Sequence, residues 1–219
     1  MTLSDDDKVK RYLRITATRA RDIANGRANQ VIEDMVHGTS FRGNDWTEHG
    51  HLLEPIAVHF AQKRLGHPLL HAGTTMSQTL VDPATGWHWA AASGDRYFYT
   101  PSGQMVNVEC KGVNWRKIAD EKWGTKTVRG EAWDYKKSWQ DQVGSPDEVA
   151  EEYHAQLDWQ HIVLNCAGSI VVTTCGTETY LFRFPRRHEK EKELIDKCYE
   201  VWKTAWALRK QAEEEKNNV

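Results

Sequence analysis

Apolar and polar residues alternate most regularly over residues 106–111, where Val106, Val108 and Cys110 interleave with Asn107, Glu109 and Lys111. A period of two is that of a strand whose successive side chains point to opposite faces, one buried and one polar. Glu109 and Lys111 therefore project to the same side. Upstream, residues 87–100 are aromatic and broken by Ser93-Gly94, and Pro101-Ser102-Gly103 is a turn signal ahead of the Val106 strand. That hairpin brings Asp95 beside Glu109. Residues 69–81 and 87–92 read as strands joined by the turn Asp82-Pro83-Ala84-Thr85-Gly86.

Helical spacing governs most of the rest. Over residues 46–66, Leu52, Leu53, Ile56, Ala57, Phe60 and Leu65 form an apolar stripe with Glu54 at its edge and Gly66 as its stop. Residues 11–25 have helical character, with Thr16 or Thr18 as the cap, and a short helix is expected around 31–36. Ser145-Pro146-Asp147-Glu148 starts a helix that should run to about residue 164, with Tyr153, Gln156 and Gln160 on one face. Strands over 169–174 and 179–184 flank Cys175-Gly176-Thr177. Residues 186–219 read as a helix lined by Leu194, Ile195, Cys198, Val201, Trp202, Ala205 and Leu208, able to pack on the sheet or on a neighbouring subunit, with a charged tail that frays from 210.

The chain of 219 residues is read as one domain, with a polar, flexible start over residues 1–10. A formal net charge of -2 does not mark a nucleic-acid binder, so attraction to phosphate has to be local or carried by cations. Residues 112–146 offer such a place: seven Lys or Arg against five Asp or Glu, with Trp115, Trp123, Trp133 and Trp139 among them. Basic residues threaded with aromatics suit a single-stranded track, and equally a surface excursion whose tryptophans pack onto the domain. Four cysteines without Cys-x-x-Cys spacing point to reduced thiols and a cytoplasmic protein. No apolar run is long enough to span a bilayer.

Two carboxylates held together repel, and a divalent cation keeps both ionised in one pocket. A lysine beside them suits orienting or deprotonating a water. Asp95 with Glu109-Cys110-Lys111 thus points to metal-assisted phosphodiester hydrolysis, against the plainer reading of Glu109 and Lys111 as an ion pair on a solvated strand. Near the N-terminus, Arg11, Arg14 and Arg19 cluster about a helix start that favours an anion.

These residues also carry a resemblance. Asp95 followed by Glu109-Cys110-Lys111 resembles the Asp…Glu-x-Lys signature of the PD-(D/E)XK nucleases. Arg11 with Ile15-Thr16-Ala17-Thr18, Glu54 in its helix, and Tyr153-His154-Ala155-Gln156-Leu157-Asp158-Trp159 narrow it to the lambda-exonuclease-like (YqaJ-type) viral recombination nucleases. The resemblance covers roughly residues 11–165. Departures from its pattern are Gly94 in place of a proline, Arg96 in place of a glycine, Trp159 in place of a tyrosine, and a long interval between Lys111 and Gln156.

The resemblance implies an α/β restriction-endonuclease-like fold, a central mixed sheet flanked by helices. It implies Mg²⁺, two ions with Mn²⁺ as a substitute, held by Asp95, Glu109 and the Cys110 backbone carbonyl, with Glu54 helping the second. Lys111 and Gln156 would act on the attacking water, and Arg11 and Thr18 would hold a 5′-phosphate. The implied activity is 5′ to 3′ degradation of one strand from a double-stranded DNA end, leaving a 3′ tail for a single-strand annealing partner, by a homotrimer. An endonuclease on the same scaffold, or a non-catalytic DNA-binding protein, stands as the alternative.

Overall fold

The computed structural model describes residues 11–38, 45–112, 149–175 and 178–217. Among them are helices α1 (Ala17–Ala24), α2 (Ala28–His37), α3 (Asp45–Leu65), α4 (His154–Leu164) and α5 (His188–Asn217). The strands are β1 (Leu70–His71), β2 (Thr74–Met76), β3 (Ala91–Ser93), β4 (Arg96–Tyr99), β5 (Met105–Gly112), β6 (Gly168–Cys175) and β7 (Glu178–Pro185). A five-stranded sheet runs β1-β4-β5-β6-β7, and β2 and β3 form a separate ribbon. Only β5 and β6 pair in parallel, with Glu109 opposite Val171; the other neighbours are antiparallel. The mixed α/β architecture expected from the sequence is present.

β5 and β6 are interior strands, so both of their edges are paired, and helices cover both of their faces. On one side Ala57, Ala61 and Leu65 of α3 pack against Phe98, Val108, Ile170, Val172 and Leu181. On the other, Leu157 of α4 packs with Val171, Phe182 and Phe184. The polar face of β5, expected to be solvated on the plainer reading, is therefore buried, with Asn107 0% and Glu109 4% exposed. Alternation reports which residues share a face; it does not report whether a helix from later in the chain lies over that face.

A second core lies among the helices. Trp89, Trp159 and Trp202 are buried with Ala20, Ile23, Met35, Leu194 and Cys198, and α5 packs on α1, α2 and α4. Indole N–H groups tie irregular backbone to this core: Trp159 Nε1 donates to Ile15 O and Ala91 O, both at 3.2 Å, and Trp202 Nε1 to Leu13 O at 3.0 Å.

Several sequence expectations need correction. Residues 12–16 are not helical: Leu13 has φ +48, and Ile15 bridges Ala90 in an extended conformation. The helix starts only at Ala17, capped by Thr16, whose Oγ1 accepts from Arg19 N at 3.4 Å; Thr18 is inside it. On α3 the buried side is Ala57, Ala61 and Leu65, while Leu52 and Ile56 are 67% and 42% exposed. Small alanines allow close approach to the sheet, which turns the larger residues outward. The strand expected over 69–81 is two short pieces, β1 and β2. Residues 145–148 lie outside the described residues; Val149 and Ala150 are not helical, Glu151–Tyr153 is a single 3-10 turn, and α4 starts at His154. Residues 113–146 of the tryptophan-rich stretch also lie outside the described residues. No helix among the described residues is long and apolar enough to cross a membrane.

Trp159 is 0% exposed and joins the sheet's helix α4 to both β3 and the N-terminal segment. Trp159→Ala should lower unfolding free energy by about 3–5 kcal/mol, read as a shift of the urea midpoint at unchanged m-value. A loss below about 1 kcal/mol, the scale of an ordinary surface change, would contradict this packing.

Candidate active site

The centre of the site is a buried carboxylate. Glu109 Oε1 accepts from Lys111 Nζ and from Gln156 Nε2, each at 2.6 Å, and Oε2 accepts from Gln160 Nε2 at 2.7 Å. One cation and two amides thus replace water around a charge that burial alone would disfavour. The placement follows from two periodicities. Glu109 and Lys111 are two apart on β5, and Gln156 and Gln160 are one turn apart on α4, which lies over that strand face.

Lys111 Nζ also lies 3.4 Å from Gln156 Oε1 and 5.0 Å over the Tyr153 ring. Burial opposes its charge, but Glu109 and then Asp95 outweigh that opposition, and its pKa is raised. Lys111 is therefore an ammonium, suited to orienting a water or a phosphate oxygen and unsuited to taking a proton. Of the two roles that the sequence left open for it, the electrostatics favour the first.

Asp95 occupies the bend between β3 and β4, where Oδ2 accepts from Cys110 N at 2.7 Å. Burial, with the nearby Glu109 charge adding to it, pushes its carboxyl up to about 7; Lys111 and the Cys110 amide offset this only in part. The lysine's direct ion pair is with Glu109, which leaves Asp95 short of positive charge. The Cys110 thiol is raised well above its ordinary range, by burial first and then by Asp95 and Glu109, and stays neutral.

Glu54 reaches the site from α3 and pairs with Arg96 Nη1 at 3.1 Å; the same Nη1 donates to Asp95 O at 2.5 Å. Arg96, where the resemblance expects glycine, is thus the counter-charge of Glu54. Arg11 and Thr18 belong to a different element. Thr18 is exposed in the first turn of α1, and Arg11 is near enough to Arg19 to oppose its charge, after the larger effect of burial. The structure brings together Asp95, Glu109, Lys111 and Gln156, with Glu54 one ion pair away, and keeps Arg11 and Thr18 on the α1 side.

Sequence reasoning gave no role to Gln160, Asn107 or Arg96. Gln160 Nε2 donates both to Glu109 and to Ser93 O at 2.8 Å, and its Oε1 accepts from Asn107 Nδ2 at 3.1 Å. The available signal was positional: Gln160 lies four residues after Gln156, and Asn107 two before Glu109.

Among the described residues no group of three or more His, Cys, Asp and Glu side chains is gathered closely enough to hold a metal ion. The donor set nevertheless fits a hard divalent cation. Asp95 and Glu109 are oxygen donors close enough to repel, and Lys111 only partly offsets the burial and repulsion that favour the protonated Asp95 carboxyl.

The sequence matches the family of the YqaJ-like viral recombinase domain over residues 9–175. The chain belongs to this family. No curated protein sequence matches it. Among solved structures, it is similar to an alkaline exonuclease, LHK-Exo, from Laribacter hongkongensis, with a TM-score of 0.70 at 15% identity over 98% of this chain and 99% of that one. The same exonuclease in complex with dAMP gives 0.70 at 16% identity, over 98% and 99%. A phage-related exonuclease from Haemophilus somnus 129PT gives 0.58 at 14% identity, over 96% of this chain and 99% of that one. The fold of this family member is thus PD-(D/E)XK-like, with β5 as the strand bearing Glu-x-Lys.

The Asp95 shift has a consequence for stability. Its folded-state pKa of about 7 lies above the ordinary aspartate value of 3.8, so the folded state holds the proton more tightly. Its contribution is full below about pH 4 and is lost as pH rises through about 7. In EDTA, Asp95→Asn should therefore be more stable than wild type at pH 8, with the difference vanishing near pH 4, as read by thermal unfolding. Equal or lower stability of Asp95→Asn at pH 8 would refute the assignment of that burial.

Proposed function

We propose that this protein is a divalent-metal-dependent deoxyribonuclease that degrades one strand of duplex DNA from its ends, 5′ to 3′, leaving a 3′ single-stranded tail. The observation that carries the reading is the Glu109 carboxylate held by Lys111 and Gln156 beside a half-buried Asp95 whose charge Lys111 offsets only in part. Membership in a viral recombinase family, and a fold shared with two exonucleases, support it.

In this reading Asp95, Glu109 and the Cys110 backbone carbonyl would hold Mg²⁺, and Glu54 would contribute to a second ion; Mn²⁺ would substitute. The bound ion would supply Lewis-acid polarisation of the scissile phosphate and a lowered pKa for the attacking water. The protein's own groups do the rest. Glu109 is fixed by three donors before substrate arrives, so its orientation need not be established during the reaction. Lys111, kept cationic by Glu109 and Asp95, orients the nucleophilic water and offsets charge on the phosphate. Gln156 donates to Glu109 while its Oε1 faces Lys111, which sets the ammonium between carboxylate and amide.

Arg11 and Thr18 would take the 5′-phosphate, at a helix N-terminus whose free amides favour an anion. Arg19, close to Arg11, would strengthen that preference. The exonuclease solved with dAMP holds a mononucleotide, which supports mononucleotide release here. A homotrimer encircling DNA and handing its tail to a strand-annealing partner completes the reading.

The test uses linear duplex labelled at the 5′ or 3′ end, beside covalently closed circles, with Mg²⁺ or with EDTA. Release from the 5′ label in Mg²⁺ only, with circles intact, is the expected result. Glu109→Ala and Lys111→Ala should each lower cleavage by at least about a hundredfold while keeping the wild-type circular dichroism spectrum. Cut circles would replace the exonuclease with an endonuclease. Full activity of either variant, or cleavage in EDTA, would overturn this site.

A further inference from the structure

The nuclease reading leaves unexplained a run of buried polar side chains behind Glu109. Gln160 is 1% exposed, Asn107 0%, Ser169 1% and His161 0%. They form a continuous path. Gln160 Nε2 donates to Glu109 Oε2 and Ser93 O, and Asn107 Nδ2 donates to Gln160 Oε1 and, at 3.2 Å, to Ser169 Oγ. Ser169 Oγ in turn lies 2.8 Å from His161 Nε2. Four buried polar side chains from β5, β6 and α4 would be replaced by apolar ones at little penalty if packing were their whole purpose.

The path has a direction. Both hydrogens of the Gln160 amide meet acceptors, so its oxygen needs a donor, and Asn107 Nδ2 is that donor. Reversed, the Gln160 oxygen would confront the Glu109 carboxylate and the Ser93 carbonyl. With Asn107 Nδ2 engaged by two acceptors, its Oδ1 is turned toward Gly94 and has no hydrogen-bond partner in the structure. A Cβ at residue 94 would lie 2.1 Å from that oxygen, so nothing larger than glycine fits there without displacing Asn107. Gly94 immediately precedes Asp95, and Ser93, whose carbonyl Gln160 holds, precedes Gly94.

We propose that Gln160 is a positioning residue of the nuclease site, tying the Glu109 carboxylate to the backbone two residues before Asp95, and that Asn107, seated against Gly94, fixes which way the Gln160 amide faces. The inference rests on the nuclease reading for its catalytic consequence and on geometry alone for its effect on cation binding. It gives Gly94 a physical reason: it leaves room for the Asn107 oxygen. Gln160 touches neither substrate nor cation in this account; it acts through Glu109.

The experiment compares wild type with Gln160→Met, which keeps length and removes the hydrogen bonds, with Asn107→Ala, and with the double variant. Three quantities are read: kcat and KM on duplex ends, Ca²⁺ binding by calorimetry, and the thermal midpoint. Gln160→Met should lower kcat and weaken Ca²⁺ binding, each on the order of 10- to 100-fold, with KM for DNA ends unchanged. Asn107→Ala should give a smaller loss in the same two quantities, and little further loss when added to Gln160→Met, because both act through one amide. Should Gln160→Met fail to fold, Gly94→Ala reads the same geometry from the other end and should lower the same two quantities.

Wild-type kcat and Ca²⁺ affinity in Gln160→Met, or independent multiplying losses in the double variant, would overturn the proposal. So would the absence of Ca²⁺ binding by wild type. A wild-type protein that cleaves no DNA, or an active Glu109→Ala, instead overturns the nuclease reading, and calorimetry still decides the Gln160 question.

Discussion

Burying the Glu109 carboxylate is the constraint to which the surrounding structure answers. A charge 4% exposed at the centre of a sheet requires donors from several directions. Here they come from its own strand, through Lys111, and from the helix above, through Gln156 and Gln160. The requirement explains why α4 carries glutamines over β5 while its Leu157 packs on the next strand. It also explains Lys111, whose ammonium persists in a buried place because two carboxylates stand near it.

The same arrangement leaves the charge of half-buried Asp95 only partly compensated. A single lysine serves two acids, and its hydrogen bond goes to Glu109; the Cys110 amide is a weaker compensation for Asp95. Preorganisation for a cation and stability without one are opposed at this position. Removing the Asp95 charge relieves the folded chain, whereas a divalent ion would convert that unfavourable charge into a ligand. Glu54 differs, because Arg96, the residue after Asp95, meets it at 3.1 Å.

Much of this was legible in the residues, and the failures have identifiable causes. The alternation over 106–111 placed Glu109 and Lys111 on one face, and Ser93-Gly94 marked the break at which Asp95 sits; these are local properties, fixed by the pleat and by turn chemistry. Coverage of that face is not local. Leu157, Gln156 and Gln160 come from nearly fifty residues later, so a strand read as half-solvated is buried on both sides. Residues 12–16 look helical by composition, yet backbone pairing of Ile15 with Ala90 and the indole bonds of Trp159 to Ile15 O and Trp202 to Leu13 O hold them in a turn that leads into an extended Ile15. Tertiary hydrogen bonds of that kind outweigh a propensity of a few tenths of a kcal/mol per residue. The stripe on α3 misled for a different reason: the sheet is met by Ala57, Ala61 and Leu65, and Leu52 and Ile56 are left outside.

Departures from the family pattern also acquire physical content. Arg96 neutralises Glu54 and donates to the Asp95 carbonyl, so a residue that looks out of place next to an acid helps hold that acid's backbone. Gly94 makes room for the Asn107 oxygen. Both substitutions flank Asp95, the one acid of the site placed by a bend and not by regular structure. A strand or helix fixes its side chains through many repeated hydrogen bonds, whereas a bend needs specific contacts on either side. In this chain Ser93 O, Asp95 O and Asp95 Oδ2 are each held by a separate donor, Gln160, Arg96 and the Cys110 amide. Gly94 before Asp95 and Arg96 after it both take part in seating that bend, the first by leaving room for the Asn107 oxygen and the second by donating to the Asp95 carbonyl.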